Sequence, residues 1–448
     1  MKTEYVIEKI VKRDGSIVAY NRERIVTAIF KATNAIGKPD RGLAEAMALL
    51  VEEALAQTYT GDAMPTVEDI QDIVEKVLME NRHTDVAKDY IIYRHQHAMM
   101  RAARSLSFEV SDNIPYKIIY ETLRWNIEHR CESVEAVNRI IKAGELPELI
   151  RATDRRYTDD TDAVAARILD RGGAVRMIIV AGPSSSGKTT TTIKVGEKLK
   201  KAGLLFKAIN VDHYFFDLEH HPKDEFGDYD YETPDALDMP LINEHLAQLL
   251  VGKTIRTPHY DFKTGKRTLS VHEMSLAKNE LLLIDSLHGL HDSMTGAIAP
   301  EARFKIYIET LGQLRAQDGS FMRWADNRLL RRMVRDMQFR NLQPIETLTH
   351  WHYVRRSELN NIIPFIKNAD AVINSAMPYE LPFLRHRLFR YISAVLTKYR
   401  DDPKRLDAHI RANRVYALLK PLKAVADDSL IPGHSLLREF IGGSLYKY

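Results

Sequence analysis

One segment of eight residues constrains the fold of this chain more than any other feature. Residues 182–189 read GPSSSGKT; they directly follow the apolar segment 177–181 and directly precede a helical pattern. Glycines at this spacing let the backbone curl so that successive N–H groups point inward, and the following helix adds the positive end of its dipole. The pattern GxxxxGK[ST] between a strand and a helix therefore predicts a cradle for phosphate groups.

The cradle predicts ATP or GTP as a ligand, and its residue types have expected roles. Lys188 would bridge the outer phosphates, and the hydroxyl of Thr189 would ligate Mg²⁺. The predicted nucleotide-binding residues of the loop are Gly182, Ser184, Ser185, Ser186, Gly187, Lys188, Thr189 and Thr190. An ordinary glycine-rich turn is the alternative, but it leaves the flanking strand and helix unexplained.

From residue 174 onward, apolar strands alternate with helical stretches. The strands are expected at 177–181, 204–211, 281–284, 304–308 and 371–373, with helical sequence from about residue 382. Such alternation predicts an α/β fold of the P-loop type, a parallel sheet with helices on both faces. Residues 101–173 read as a helical connecting segment, in which the polar stretch 154–162 is expected to be a surface loop.

The first hundred residues predict a separate, small and mostly α domain. Two β-rich segments, 6–11 and 17–20, flank an Asp-Gly pair at 14–15, which is suited to a tight hairpin turn. Helical patterns follow, with Asn21 and Thr66 as expected N-caps. The domains are therefore placed at 1–100, 101–173 and 174–448.

Two carboxylates follow predicted strands and are candidates for chemistry at the phosphates. Asp285 closes the segment 281–284, where a second acidic group could hold the metal; a helix N-cap is the alternative. Asp212 closes the segment 204–211, where a carboxylate could accept the proton of an attacking hydroxyl; a turn residue is the alternative.

An arginine-rich helical pattern supplies cations, which phosphoryl transfer requires around the γ-phosphate. Helical spacing is expected to aim several guanidinium groups toward one side, with a further arginine beyond them. These residues are Arg328, Arg331, Arg332 and Arg335, followed by Arg340. A solvated basic helix or an RNA-facing patch is the alternative.

Composition excludes several classes of protein. A charged fraction of 28% with a net charge of only +3 describes a solvated globular surface rather than a polybasic nucleic-acid binder. The single cysteine, Cys131, excludes an intramolecular disulfide and a cysteine-based zinc cluster. We expect a cytoplasmic homo-oligomer without nucleic-acid or membrane partners. Four histidines without companion ligands are expected at the surface or in loops: His220, His221, His288 and His291.

Four further segments accompany the P-loop: VDHY at 211–214, YETPDALD at 231–238, PHYDF at 258–262 and LRRMVRD at 330–336. With them, the chain from about residue 164 resembles the uridine kinase and phosphoribulokinase family. The C-terminal LREFIGGS at 437–444 is similar to a signature of the bacterial nucleoside kinases of that family.

This resemblance implies ATP- and Mg²⁺-dependent phosphorylation of the 5′-hydroxyl of a uridine- or cytidine-like nucleoside. It implies Asp212 as the catalytic base, acting with Lys188 and Arg335, and it implies Arg335 and Arg340 as ligands of the ATP phosphates. The residues implied for the acceptor are Glu232 at the ribose, Tyr260 and Phe262 at the nucleobase, and Arg332. A kinase of another small alcohol and a non-catalytic nucleotide-dependent regulator remain open alternatives.

The N-terminal domain resembles the ATP-cone, a regulatory nucleotide-binding module. The likeness rests on VKRDG at 11–15, PTVEDI at 65–70 and VAKDYIIYR at 86–94. It implies ATP or dATP as an effector; a cone that has lost its ligand is the alternative. The implied binding residues are Lys12, Arg13, Asn21, Arg24, Thr66 and Lys88.

Overall fold

The chain folds into two compact units. The first comprises Met1–Val110 and Leu396–Arg411, and the second comprises Ser111–Val395 and Ala412–Tyr448. The computed structural model describes residues 7–12, 16–59, 63–91, 94, 113–223, 229, 232–400, 402 and 405–447. The predicted hairpin turn at 13–15 lies outside these residues.

The first unit contains the predicted hairpin and helices. Strands β1 (Lys9–Val11) and β2 (Ile17–Ala19) pair antiparallel. The helices that follow are Arg22–Ala35, Arg41–Thr58 and Val67–Glu80, with further helical backbone at 84–91. Asn21 and Thr66 cap the first and third of these helices, because their side-chain oxygens accept hydrogen bonds from Glu23 and Asp69 N–H groups. Apolar faces of the helices, including Ile29 and Leu55, form the core of the unit.

The second unit is built on a five-stranded sheet in which every pair of neighbours is parallel, as predicted. Its strands are β3 (Met177–Ala181), β4 (Leu205–Asn210), β7 (Glu280–Ser286), β8 (Arg303–Glu309) and β9 (Ala371–Asn374). They lie side by side in the order β4-β7-β3-β8-β9. Central β3 is buried along its whole length, which explains its continuous apolar sequence. Its carboxyl end leads into the P-loop.

A separate two-stranded antiparallel hairpin stands beside the sheet. It comprises β5 (Ile255–Asp261) and β6 (Lys266–Met274), with an irregularity between Thr257 and His259. Most of β6 is exposed, whereas alternate residues of β5 are buried. The hairpin therefore contributes one face to the core and carries the PHYDF segment.

Helices cover the sheet and form the rest of the unit; two of them, Glu380–Lys398 and Leu406–Leu419, also contain residues that belong to the first unit. From residue 113 onward their bounds are Tyr116–Glu128, Val134–Ala143, Leu146–Asp170, Lys188–Lys201, Met239–Leu250, Trp324–Phe339, Pro344–Asn361, Glu380–Lys398, Leu406–Leu419 and Arg438–Ile441. Within the described part of the chain, no helix combines the length and the apolar character needed to cross a bilayer.

The expectation of a surface loop at 154–162 is wrong, because this stretch lies inside the helix Leu146–Asp170. Several of its polar residues are buried, among them Asp154 and Tyr157. Asp154 accepts hydrogen bonds of 3.0 Å from both Tyr379 and Ser435. Polar composition therefore predicted a loop, whereas the stretch is a helix that buries polar groups with partners elsewhere in the fold.

Candidate active site

The P-loop needs its two glycines for steric reasons. A Cβ atom at Gly182 would collide with the carbonyl oxygen of Ile308 in neighbouring β8. Gly187 has φ +92° and lies against Leu436, so that a side chain there would meet both strain and a neighbour. The loop between them is buried, and it delivers the chain directly into the helix Lys188–Lys201.

Lys188 is surrounded by charged groups at the carboxyl end of the sheet. Its ammonium group donates to the carbonyl oxygen of Pro183 at 3.3 Å. Burial lowers the pKa of Lys188, and the carboxylates of Asp285 and Glu439 act against this effect. The lysine therefore has an anionic environment on one side and the P-loop backbone on the other.

Asp285 and Thr189 supply oxygen atoms of the kind that Mg²⁺ prefers. Asp285 pairs with Val180 in the register of β7 and β3, one residue before β3 ends, so the helix N-cap alternative is excluded. Desolvation by the surrounding protein raises the pKa of Asp285 to about 6, although the charge of Lys188 opposes the rise. The hydroxyl of Thr189 has no hydrogen-bond partner among the described side chains. One carboxylate and one free hydroxyl fit a Mg²⁺ ion that takes its remaining ligands from phosphate and water.

Asp212 lies in the short 3₁₀ turn Val211–Tyr214 directly after β4. Its N–H group donates to the side chain of Asn210 at 3.0 Å, which fixes the turn. Desolvation raises the pKa of Asp212, and the positive charge of Lys188 opposes this rise. The two groups therefore interact electrostatically, and part of the surface of Asp212 remains open to solvent.

Arg332 connects the P-loop with the predicted ribose residue. Its Nη1 atom donates to the hydroxyl of Ser184 at 3.0 Å and lies 3.7 Å from the Glu232 carboxylate. The carbonyl oxygen of Glu232 accepts a hydrogen bond from Ser357. The structure thus brings together two residues that are a hundred positions apart in the sequence.

Tyr260 lies on β5 and Phe262 directly follows the strand, and their ring centres are 5.0 Å apart. Tyr260 is buried and packs against Phe215 at 5.6 Å, whereas Phe262 is 61% exposed. The N–H group of Tyr260 donates to Nδ1 of His213 at 3.3 Å, which ties the hairpin to the turn carrying Asp212. Only Phe262 of this pair offers an open aromatic surface.

Two family models match the chain. Residues 8–99 match the ATP cone domain, and residues 177–381 match the phosphoribulokinase/uridine kinase family. This chain is a kinase whose residues 177–381 match that second family. Both resemblances expected from the sequence are therefore confirmed.

Curated relatives are similar to less than half of the chain. The uridine kinases of Deinococcus deserti and Oceanobacillus iheyensis are each 29% identical to the kinase, over 204 and 198 residues. These alignments cover 45% and 44% of the chain, and 89% and 85% of the relatives. A solved structure described as a possible uridine kinase from Bacillus stearothermophilus is 17% identical, covers 48% of this chain and 98% of its own, and has a TM-score of 0.34.

The arginine helix of the kinase, Trp324–Phe339, carries Arg335, and Arg340 directly follows it. Arg335 Nε and Arg340 Nη1 lie 3.8 and 3.3 Å from the same carboxylate oxygen of Asp336. Burial and the charge of Arg340 lower the pKa of Arg335 to about 10, with Asp336 acting against them. Two guanidinium groups thus share one carboxylate, and an additional anion would balance the remaining positive charge.

The expectation that the arginines of this helix aim toward one side is wrong for Arg328 and Arg331. Both are fully buried. Arg328 donates to Glu309 at 2.7 Å, to Glu358, and to the carbonyl oxygen of Ser184 at 3.3 Å. Arg331 in turn pairs with the buried carboxylate of Glu380 at 2.5 Å. Because buried charges require partners, these two residues are structural, and Arg328 supports the P-loop from beneath.

Two of the histidines expected at the surface or in loops are buried. His288 is 3% exposed and His221 is 4% exposed. Burial lowers the pKa of His288 to about 4, and the neighbouring His291 adds to this effect. No group of three or more potential metal-ligating side chains occurs within residues that the structure describes. His288 lies in the turn after β7, and its sequence neighbours did not signal its burial.

Glu439 is the site residue that sequence reasoning missed. Its Oε2 atom accepts hydrogen bonds from both the N–H group and the hydroxyl of Thr190, at 3.0 and 2.6 Å. The available signal was its place within the C-terminal LREFIGGS segment, to which no role was assigned.

The predicted cone residues occupy the first unit. Arg13 lies outside the described residues. The N–H group of Lys12 donates to the carbonyl oxygen of Ser16 at 2.8 Å, and Arg24 and Lys88 are exposed. The side chains of Asn21 and Thr66 are engaged as helix caps.

Proposed function

We propose that the kinase transfers the γ-phosphoryl group of ATP to the 5′-hydroxyl of a uridine- or cytidine-like nucleoside. The observation that carries this proposal is the electrostatic interaction of Asp212 with Lys188 at the carboxyl edge of the sheet, where β3 and β4 end on either side of Asp285. A carboxylate beside the phosphate lysine is what a transfer to a hydroxyl group requires. Relatives named uridine kinase support the choice of a nucleoside.

In this mechanism Asp212 accepts the proton of the 5′-hydroxyl as its oxygen forms a bond to the γ-phosphorus. The bond from that phosphorus to the bridging oxygen breaks, and ADP leaves. Lys188, Arg335 and Arg340 stabilise the charge that is spread over the transferred group. Mg²⁺, held by Thr189 and Asp285, would neutralise charge on the phosphates.

The acceptor side is assigned to the groups opposite the P-loop. Glu232 accepts hydrogen bonds from the ribose hydroxyls, since one carboxylate can serve two donors. Arg332, 3.7 Å away, keeps that carboxylate oriented. Phe262 offers its exposed face to the nucleobase, and Tyr260 supports it from the core.

We also propose that ATP or dATP binds the cone and adjusts the rate. The cone family model supports this assignment. Lys12, Arg24 and Lys88 are the basic residues available for the phosphates.

A single assay tests the acceptor assignment. Release of ADP is measured with ATP and Mg²⁺ against the common ribonucleosides, their deoxy forms and a set of simple sugars and vitamin-like alcohols. We expect turnover with pyrimidine ribonucleosides. Turnover only with another alcohol would identify a different kinase, and binding of ATP without any acceptor would identify a regulator.

A further inference from the structure

The C-terminal segment of the kinase reaches the start of the P-loop helix through Glu439. We infer that Glu439 is a positioning residue for nucleotide binding: it holds Thr190, and through it the register of Lys188 and Thr189. Both polar donors of Thr190 go to this one carboxylate oxygen, so under this inference Thr190 supports the loop and does not bind the nucleotide directly as the sequence predicted. This inference rests on the proposed function only in that the P-loop must bind ATP.

The helix start explains why a carboxylate is placed there. The first N–H groups of an α-helix have no partner within the helix, and a negative charge at that end is stabilised by the helix dipole. Gly187, which precedes Lys188–Lys201, has no side chain that could supply a cap. Glu439 supplies it from 249 residues away in the sequence. The nucleotide therefore meets a helix start that is already ordered at Thr190.

The backbone around Glu439 is firmly anchored, which favours a permanent cap over a carboxylate that ATP displaces. The Arg438 guanidinium donates to the carbonyl oxygens of Asp428 at 2.6 Å, Ile431 at 2.7 Å and Gly442 at 3.2 Å. On the other side, Phe440 is fully buried beneath the guanidinium of Arg331, 5.0 Å from its ring centre.

A second anchor lies on the N-terminal side of Glu439. The Ser435 hydroxyl donates to Asp154 at 3.0 Å and lies 2.7 Å from the Tyr379 hydroxyl, and all three groups are buried. The next residue, Leu436, contacts Gly187 of the P-loop. The segment thus touches the loop at Gly187 and the helix at Thr190.

The charge of Glu439 also acts on the groups that meet the phosphates. It opposes the burial that lowers the pKa of Lys188, and it opposes the lowering of the pKa of Arg335. Glu439 therefore helps to keep both cations protonated. These effects follow from its position and add to its contact with Thr190.

Binding of a nonhydrolysable ATP analogue with Mg²⁺ to the full chain, measured by titration calorimetry, tests the inference. Because E439A leaves two buried donors without an acceptor, we expect binding at the P-loop to weaken about 10- to 100-fold. E439Q keeps an acceptor oxygen and should stay within about threefold of wild type. E301Q changes an exposed glutamate elsewhere in the same unit and should bind as wild type. K188A gives the heat of binding outside the P-loop, which is subtracted.

Steady-state kinetics separate positioning from a general loss of structure. E439A should raise KM for MgATP while KM for the nucleoside stays unchanged, and E439Q should restore the wild-type value. If E439A fails to fold, T190V, which removes one of the two donors, should still raise KM for MgATP.

Unchanged or tighter analogue binding by E439A, or by T190V where E439A does not fold, would overturn the inference; tighter binding would make Glu439 a competitor of phosphate. If the variant that gives this result still phosphorylates the nucleoside at the wild-type rate, the proposed function stands although the inference fails. Conversely, the expected E439A effect on analogue binding without phosphorylation of any nucleoside would overturn the proposed function alone.

Discussion

Asp285 lies near the carboxyl end of β7 and Asp212 follows β4, the neighbouring strand, and the protein around each raises its pKa. Their position was predictable, because each closes an apolar segment and the ends of parallel strands meet at one edge. Glu439 was not predictable, since its role depends on a contact between the C-terminal segment and Thr190. The burial of His288 was not predictable either, because burial by distant segments leaves no local pattern.

The pKa of Asp285 leads to a prediction about pH. Below about 6 the carboxyl group of the free enzyme is protonated and cannot hold a metal ion, and above that value it is ionised. We expect kcat/KM for MgATP to rise with pH through about 6. Rates measured between pH 5 and 8 test this. D285N should lower kcat/KM and remove that limb of the profile, and a limb that persists unchanged in D285N would contradict the assignment.

Arg332 leads to a prediction about the acceptor. R332A removes the group beside Glu232 and Ser184, so we expect KM for the nucleoside to rise about tenfold or more. R332K should recover little, because a lysine has no second nitrogen to replace Arg332 Nε, which donates to Asp336 at 3.3 Å while Nη1 meets Ser184 and Glu232. Initial rates at varied nucleoside concentration measure this effect. A nucleoside KM that is unchanged in R332A would remove Arg332 from the acceptor site.

At the scale of elements, the parallel sheet and the P-loop could be predicted because strand and loop patterns are local. The hairpin β5–β6 could not be predicted, because β6 is largely exposed and has no buried face. The arginine helix Trp324–Phe339 could be located but its faces could not be assigned. Only the structure shows that Arg328 is buried against carboxylates whereas Arg332 faces the site.

The buried arginine gives a prediction about stability. R328M leaves the buried carboxylate of Glu309 without a cation and leaves Glu358 with Arg355 alone, which costs about 3–5 kcal/mol of unfolding free energy. Urea denaturation measures the loss. R340A is the matched control, because Arg340 is half exposed and its ion pair contributes little. Equal stability of R328M and wild type would show that the buried network does not support the fold.

At the scale of the molecule, the chain combines a cone with a kinase. The sequence located both, because each carries several motif segments, and it located the cone hairpin through its turn residues. The polar stretch 154–162 was wrongly predicted as a surface loop, because a helix can bury polar side chains that have partners elsewhere in the fold.

The cone leads to a prediction about regulation. The variant R24A/K88A removes two exposed basic residues of the first unit, and we expect it to lose the response of the rate to added dATP. Initial rates at saturating ATP and nucleoside, with and without dATP, measure this response. K76A, an exposed lysine of the same unit, is the control and should keep it. A dATP response that persists in R24A/K88A would remove these residues from the cone site.

The most direct test of the central claim is phosphoryl transfer by D212N, measured together with binding of the ATP analogue in the same preparation. Wild type is expected to phosphorylate a pyrimidine nucleoside. Because the amide cannot accept the proton of the 5′-hydroxyl, D212N should transfer about 10²- to 10⁴-fold more slowly with analogue binding unchanged. Transfer by D212N at the wild-type rate would contradict the account.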